Sequence, residues 1–378
     1  MLKEKNLYKG KNLFFISNRD KFFKLQADSL VNKAGVRKDS IIAIVFEVDK
    51  KVEITKVEGI EYVDFNVSDL NFMIEAKSFT FMSLNNWNAP IAETLINKDK
   101  RVLQKLYIFI TDDEVERWKI NYEKNNCLTE DIGSHISKSC ILVLQCVKNF
   151  IAPVPYFKEL ILKVLDRKDI EFINCSIIFE ILPFNQSQLL RDSTGRDESY
   201  LKSNKKRVLV GTKSYKLIPF FKVFKDFNRY QKNSGEAVEL LVFQSLSNRF
   251  LIDAFLLFRK LLRLKDSNVT YLSEMPPHLY SSLIGSCDYI LLQDRGGAST
   301  ARVFAKWGAG ALLIKNGSPN YYFFKDVYKI DFISFDEKLK ISERIRHEDL
   351  DLLCNSYRII EEEKRSIEVY GKLYDEKR

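Results

Sequence analysis

Cys287-Asp-Tyr-Ile-Leu-Leu-Gln-Asp-Arg-Gly-Gly-Ala-Ser-Thr-Ala-Arg302 is the stretch whose reading decides the fold. Asp288 to Leu292 is a short apolar run with a β-branched residue and an aromatic, and its polar flanks suit a buried strand rather than a helix. Gln293 to Gly297 then make a loop. Ala298 to Trp307 reads as a helix, with Val303, Ala305 and Trp307 for packing and Lys306 for solvent. Gly308 and Gly310 end it, and Ala311 to Ile314 starts another strand.

Strand, glycine loop, helix and strand make one βαβ unit, and ligands of such units sit beyond the carboxyl end of the strand. Gly296 and Gly297 let a ligand approach the backbone, since no Cβ intervenes. The free N–H groups opening the next helix suit a phosphate, and Ser299 and Thr300 add hydroxyls there. The alternative is structural: the two glycines make a tight turn and Ser299 caps the helix.

Working outward, 378 residues exceed one typical core, so two domains are expected. Hydrophobic residues make up 46% and charged residues 29%, the balance of a folded chain rather than a disordered one. No apolar run approaches the roughly 20 residues that cross a bilayer, and the first ten residues lack a signal-peptide core. A cytoplasmic address is expected, with the inner face of the cytoplasmic membrane as a peripheral alternative. Six cysteines without a C-x-x-C pair read as buried thiols, and three histidines do not make a His-rich metal centre. The net charge of +9 suits phosphate-bearing ligands or an anionic membrane surface. The lysines are spread along the chain without a nucleic-acid-binding motif, which ranks nucleic acid below both.

Strand-like runs at Asn12–Ile16, Ile41–Phe46, Phe79–Met82 and Leu106–Ile110 alternate with helical stretches, the pattern of a mainly parallel α/β sheet. Val52–Val57, Ile60–Val67 and Glu171–Leu182 also read as strands. Thr111 is a capping residue before a helix carrying Val115, Trp118 and Tyr122 on one face. Asn185–Lys206 is polar and poor in large apolar residues, as a linker is. After it the pattern restarts: Arg207–Val210, Ala237–Phe243 and Val269–Leu272 as strands, with Phe250–Leu264 a long apolar helix. The expected division is an N-terminal domain at 1–184, a linker at 185–206, a second domain at 207–335 and a helical tail at 336–378.

Two Rossmann-like halves with a linker and a helical tail resemble the GT-B glycosyltransferases. The resemblance rests on Val208-Leu-Val-Gly211, Tyr271-Leu-Ser-Glu274, Leu279 to Asp288, the glycine loop and the Gly308-Ala-Gly310 turn. Within that superfamily, Val208–Gly211, Tyr280–Asp288 and Gly308–Asn320 look most like the bacterial transferase of 4-acetamido-4,6-dideoxygalactose that builds enterobacterial common antigen. This covers about the last half of the chain; the first half matches by pattern. The resemblance implies an α/β fold of two Rossmann-like domains facing each other across a cleft. It also implies transfer of a sugar from a nucleotide-sugar donor to a surface-glycan acceptor, in lipid-linked form. Many retaining members carry two glutamates seven residues apart around the helix that corresponds to Ala298–Trp307. This helix has Lys306 and no carboxylate, which favours an inverting reaction.

The diphosphate leaving group of such a donor needs a metal ion or fixed cations. Asp112-Asp113-Glu114 lacks D-x-D spacing and suits a helix dipole as well. The cation route draws on Lys213 in the Gly211-Thr212-Lys213 loop, on Arg295, and on the N–H groups from Gly297 through Ala298 and Ser299 to Thr300. No metal or other cofactor is expected. Ser273, Glu274 and Met275 are assigned by position to the base, with a plain turn as the alternative. An inverting transfer also needs a general base, for which Asp113, His135 and Asp20 are the candidates. Asn86 and Trp87 suit a sugar's hydroxyls and face, or core packing at a helix start. The rivals are a non-catalytic nucleotide- or glycan-binding protein and a GT-B sugar-nucleotide epimerase.

Overall fold

A computed structural model describes residues 7–49, 51–111, 113–180, 182, 205–264, 266–336, 340–345 and 350–375. The chain divides into two compact units, Met1–Phe179 with Glu363–Arg378, and Glu180–Glu362. Most of the expected linker, 185–204, lies outside the described residues. The expected tail does not stand apart, because its last sixteen residues belong with the first unit.

The first unit holds seven parallel strands: β1 (Asn12–Ser17), β2 (Ile41–Phe46), β3 (Glu61–Asp64), β4 (Ser78–Met82), β5 (Leu106–Phe109), β6 (Asn149–Ala152) and β7 (Glu171–Asn174). Their spatial order is β3-β2-β1-β4-β5-β6-β7, so the chain reverses its direction of growth between β1 and β4. Successive residues of β1 feed opposite faces. Leu13 and Phe15 join one apolar cluster, while Phe14 and Ile16 join the other. That double burial is why a continuous Asn-Leu-Phe-Phe-Ile run marks a central parallel strand. Phe15 stacks on Phe81 of β4 with ring centroids 4.4 Å apart.

Two sequence expectations fail here. Val52–Val57 forms no strand: the Val52 carbonyl accepts from Asn18 Nδ2, the Val57 amide donates to the Tyr62 hydroxyl, and Ile54 and Val57 pack against an apolar cluster of the first sheet. The Glu171–Leu182 run is strand only to Asn174. Beyond it Cys175, Ser176, Ile178 and Phe179 are buried, and the Ser176 amide donates to Ser366 Oγ on the C-terminal helix, Leu352–Tyr374.

That helix closes the first unit. Asn12 Nδ2 donates to the Tyr374 carbonyl at 3.0 Å, the Tyr374 hydroxyl pairs with Thr80 Oγ1 at 3.0 Å, and the Tyr374 ring lies 5.1 Å from Phe14. Gly371 faces the Ala34 carbonyl, where an added Cβ meets the oxygen at 3.0 Å.

The second unit holds six parallel strands: β8 (Lys205–Val210), β9 (Ala237–Phe243), β10 (Asn268–Leu272), β11 (Tyr289–Leu291), β12 (Ala311–Lys315) and β13 (Ile333–Phe335), ordered β10-β9-β8-β11-β12-β13. The reversal falls between β8 and β11, whose register pairs Val210 with Leu291. Gly310 allows β12 to start tightly against β11: an added Cβ there lies 2.1 Å from the Asp288 carbonyl oxygen, which instead accepts from the Ala311 amide. Lys306, expected in solvent, instead pairs with Glu180. Among the described residues, no helix is long and apolar enough to cross a membrane.

Candidate donor and acceptor sites

In an open parallel sheet the loops at the carboxyl ends diverge where the strand order reverses, and the crevice between them takes the ligand. In the second unit those loops are Gly211–Ser214 after β8 and Leu292–Gly297 after β11, the two that the sequence singles out. They are tied together. The Gly211 amide donates to the Leu291 carbonyl at 2.8 Å, and the Thr212 amide donates to Gln293 Oε1 at 3.1 Å.

Gly211, Gly296 and Gly297 all have positive φ, at 75°, 82° and 78°, a backbone that side chains rarely tolerate. The two neighbouring glycines differ in their surroundings. At Gly297 an added Cβ meets Thr212 Oγ1 at 2.4 Å, so this residue is packed onto the first loop. At Gly296 the nearest atoms are Lys213 Cε at 3.6 Å and Nζ at 3.7 Å, which places the ammonium beside the glycine backbone. Gly297, not Ser299, occupies the cap position of helix Ala298–Lys306, and no side chain caps it. Its first amides thus donate to no capping side chain and carry the partial positive charge of the helix end.

Three residues that sequence reasoning missed hold this loop. Asn320, buried, donates from Nδ2 to the carbonyls of Gln293 at 2.8 Å and Gly296 at 2.9 Å. Gln293 bridges to Thr212, as above. Tyr280 reaches the Thr212 carbonyl at 3.5 Å and bonds Thr300, and burial pushes its phenol up to about 12. Lys315 pairs with Asp294 at 3.0 Å. No spacing or periodicity marks Asn320; only its position after Ser318-Pro319, at a helix start, sets it near the loop.

Ser273, Glu274 and Met275 follow the edge strand β10, two strands away from β8. The first two are exposed, and the loop is anchored by Arg249, whose Nη2 donates to the Leu272 carbonyl at 2.8 Å. A hollow of about 220 Å³ lies at the amino ends of β11 and β12, against Asp288, Gly310 and Leu352, at the opposite end of the sheet from the glycine loops.

In the first unit the reversal between β1 and β4 is bordered by the loops that carry Asp20 and Trp87. Asp20 Oδ1 accepts from the Phe22 and Phe23 amides at 2.8 and 2.6 Å, fixing the start of helix Phe23–Asn32. Burial nevertheless holds its carboxyl above the ordinary value, outweighing those bonds. Trp87, half exposed, packs against His135 with ring centroids 5.1 Å apart, so it is not core. His135 itself sits in a left-handed turn at φ 60°. Asn86 donates to the Ile132 carbonyl at 3.3 Å. The structure thus brings Asn86, Trp87 and His135 together.

Asp113 opens helix Asp113–Asn125 after β5; Asp112 lies outside the described residues. Glu114 is fully buried and accepts from the Thr111 amide and hydroxyl at 2.7 and 2.9 Å. It is therefore a helix-capping carboxylate and not available to a ligand. Among the described residues, no three His, Cys, Asp or Glu side chains are grouped to hold a metal.

No protein-family model matches the chain, and no curated protein matches it in sequence. Solved structures do match along nearly its whole length. The α,α-trehalose 6-phosphate synthase of Burkholderia multivorans superposes with a TM-score of 0.55 at 8% identity, covering 96% of this chain and 97% of that one. A glycosyltransferase from Rickettsia africae gives 0.55 at 10%, over 97% and 99%. The two parallel-stranded units of this chain, each with interleaved helices, match two Rossmann-like domains. The fold is GT-B. Anabaena HepE, solved with UDP and glucose, superposes on the same plan at 0.51 and 9% identity, over 97% and 94%. At such identities the likeness establishes the GT-B architecture alone, and the chemistry has to come from the residues.

Proposed function

We propose that this GT-B chain is a glycosyltransferase whose nucleotide-sugar donor binds the second unit, with its diphosphate against Gly296–Thr300. One observation carries the reading: two adjacent positive-φ glycines open a helix at the sheet's reversal point, with the Lys213 ammonium beside them. Backbone amides, a helix end and a cation then converge where a leaving diphosphate gathers charge. Arg295 adds a second cation from the same loop. Gly211 and Thr212 supply the opposite wall, and Ser273, Glu274 and Met275 are assigned to the base. HepE, of the same fold, was solved with UDP and glucose, which fits this class of donor.

In the reaction proposed, an acceptor hydroxyl attacks the anomeric carbon, the bond from that carbon to the phosphate oxygen breaks, and the hydroxyl proton passes to a carboxylate. Cationic stabilisation makes the step metal-independent, and single displacement makes it inverting. Asp113, at the carboxyl end of a strand, is the base that the sequence favours; Asp20, beside the reversal of the first sheet and with its pKa raised by burial, is now preferred to it and to His135. Trp87 and Asn86 offer an aromatic face and an amide to an acceptor sugar. A hexose or deoxyamino sugar and a lipid-linked surface-glycan acceptor, met in the cytoplasm, complete the proposal on the resemblance of Tyr280–Asp288 and Gly308–Asn320.

A thermal-shift panel of nucleoside mono- and diphosphates tests it. Diphosphates should raise the Tm well beyond monophosphates, by an amount that grows with the logarithm of concentration. Equal shifts across the panel count against the site. Binding without transfer or donor hydrolysis favours a non-catalytic binding protein, and formation of an epimeric sugar without acceptor favours an epimerase.

A further inference from the structure

Helix Leu246–Leu261, the crossover between β9 and β10, is apolar on the side turned away from its sheet. Ile252 is its buried residue, and Phe255 packs on Phe221 at 4.8 Å. On the opposite side Leu246, Phe250, Leu257 and Leu261 recur at i, i+4, i+11 and i+15, one stripe of a 3.6-residue helix. With Phe258 beside them they are 60 to 82% exposed. A helix lying on a sheet normally turns charge outward, so this face is inverted.

Charge surrounds the stripe on one side of neutrality. Arg259 is paired with Asp266 at 2.7 Å, Arg249 bonds the Leu272 carbonyl, and the Tyr271 hydroxyl engages Asp253 at 2.7 Å, so Lys260 and Arg263 form the basic rim. Lys260 and Arg263 are exposed. Lys225 is exposed on the neighbouring helix, one turn beyond Phe221.

We propose that this face docks on an anionic lipid bilayer, the helix lying in the headgroup plane with its leucines and phenylalanines in the acyl boundary. Leucine and phenylalanine rimmed by Lys and Arg is the pattern that binds such an interface. The net charge of +9 favours an anionic surface and opposes a second copy of the same charge. The first turn of the helix lies at the carboxyl end of the sheet, the end that carries the glycine loops. The inference goes beyond donor chemistry and does not depend on it.

Flotation of the full-length protein with vesicles tests it, using phosphatidylcholine alone and phosphatidylcholine with about one third phosphatidylglycerol. The protein should float with the anionic vesicles, less so in high salt. Leu257→Asp with Phe258→Asp should weaken binding about ten-fold or more, and Lys260→Glu with Arg263→Glu should do so for anionic vesicles. Both replace exposed side chains, so an unchanged melting temperature and an unchanged nucleoside-diphosphate shift confirm an intact fold and donor site. No flotation of the wild type, equal flotation of the variants, or a wild-type dimer that the Leu257→Asp, Phe258→Asp variant makes monomeric overturns it. A missing diphosphate shift with flotation intact overturns the donor site and leaves this surface standing.

Discussion

Single residues carry the proposed donor site, and the two adjacent glycines separate backbone strain from packing. Gly296→Ala meets only ordinary contacts and should cost about 1 kcal/mol from its positive φ. Gly297→Ala adds a collision with Thr212 and should cost about 2–3 kcal/mol in urea unfolding. Equal losses would mean that the two loops are not packed as described. Asn320→Ala should lower stability by about 1–3 kcal/mol, because it strips a donor from two carbonyls at once, and should also weaken the diphosphate shift. Gly296 and Gly297 were legible in the sequence because a strand, a glycine pair and a helix start occur in one short window. Asn320 and Gln293 were not, since their work depends on tertiary contacts with loops that the chain reaches from elsewhere. Asp20 gives a pH test. Its folded-state pKa is raised above 3.8, so the group accepts a proton only above that raised value, and the transfer rate should climb with pH through it. The stability contribution runs the other way, falling as pH rises through the same window, because the unfolded chain ionises first. Asp20→Asn should reduce turnover roughly 10²- to 10⁴-fold with donor binding retained; unchanged turnover would move the base to Asp113 or His135.

Among the elements, the central strands were legible because residues buried on both faces give unbroken apolar runs, as in Ile41–Phe46. Edge segments were not. Val52–Val57 alternates like a strand, yet alternation alone cannot say whether a neighbouring strand is there to pair with. The C-terminal helix was read as a tail because its charged residues hide its packing partners. Those partners are polar atoms of distant strands, Asn12 on β1 and Thr80 on β4. Tyr374→Phe, which removes only the hydroxyl bond to Thr80, should cost about 1 kcal/mol. Tyr374→Ala also empties the space beside Phe14 and should cost about 3–5 kcal/mol. A Tyr374→Ala variant as stable as the wild type in chemical denaturation would show that the helix end is not docked. The helix from Leu246 shows the same limit of pattern. Its leucine and aromatic residues with clustered Arg and Lys suit an interfacial helix as well as an ordinary amphipathic helix on a sheet, and the fold places apolar residues on its outer side.

For the whole molecule, the two sheets share one plan: each grows outward from its first strand, reverses once, and has the proposed site loops beside that reversal. β8 and β11 bring the glycine loops together, and β1 and β4 are followed by the Asp20 and Trp87 loops. The topology explains why segments separated by some eighty positions can serve one ligand, as with Thr212 and Gln293. The chain contains 14 glycines, few enough for selective ¹⁵N-glycine labelling to follow each amide during a titration with UDP. The amides of Gly211, Gly296 and Gly297 should shift with UDP and far less with UMP, while those of Gly10, Gly35 and Gly235 stay fixed. Shifts confined to other glycines, or the same response to both nucleotides, would contradict a diphosphate site at the head of helix Ala298–Lys306.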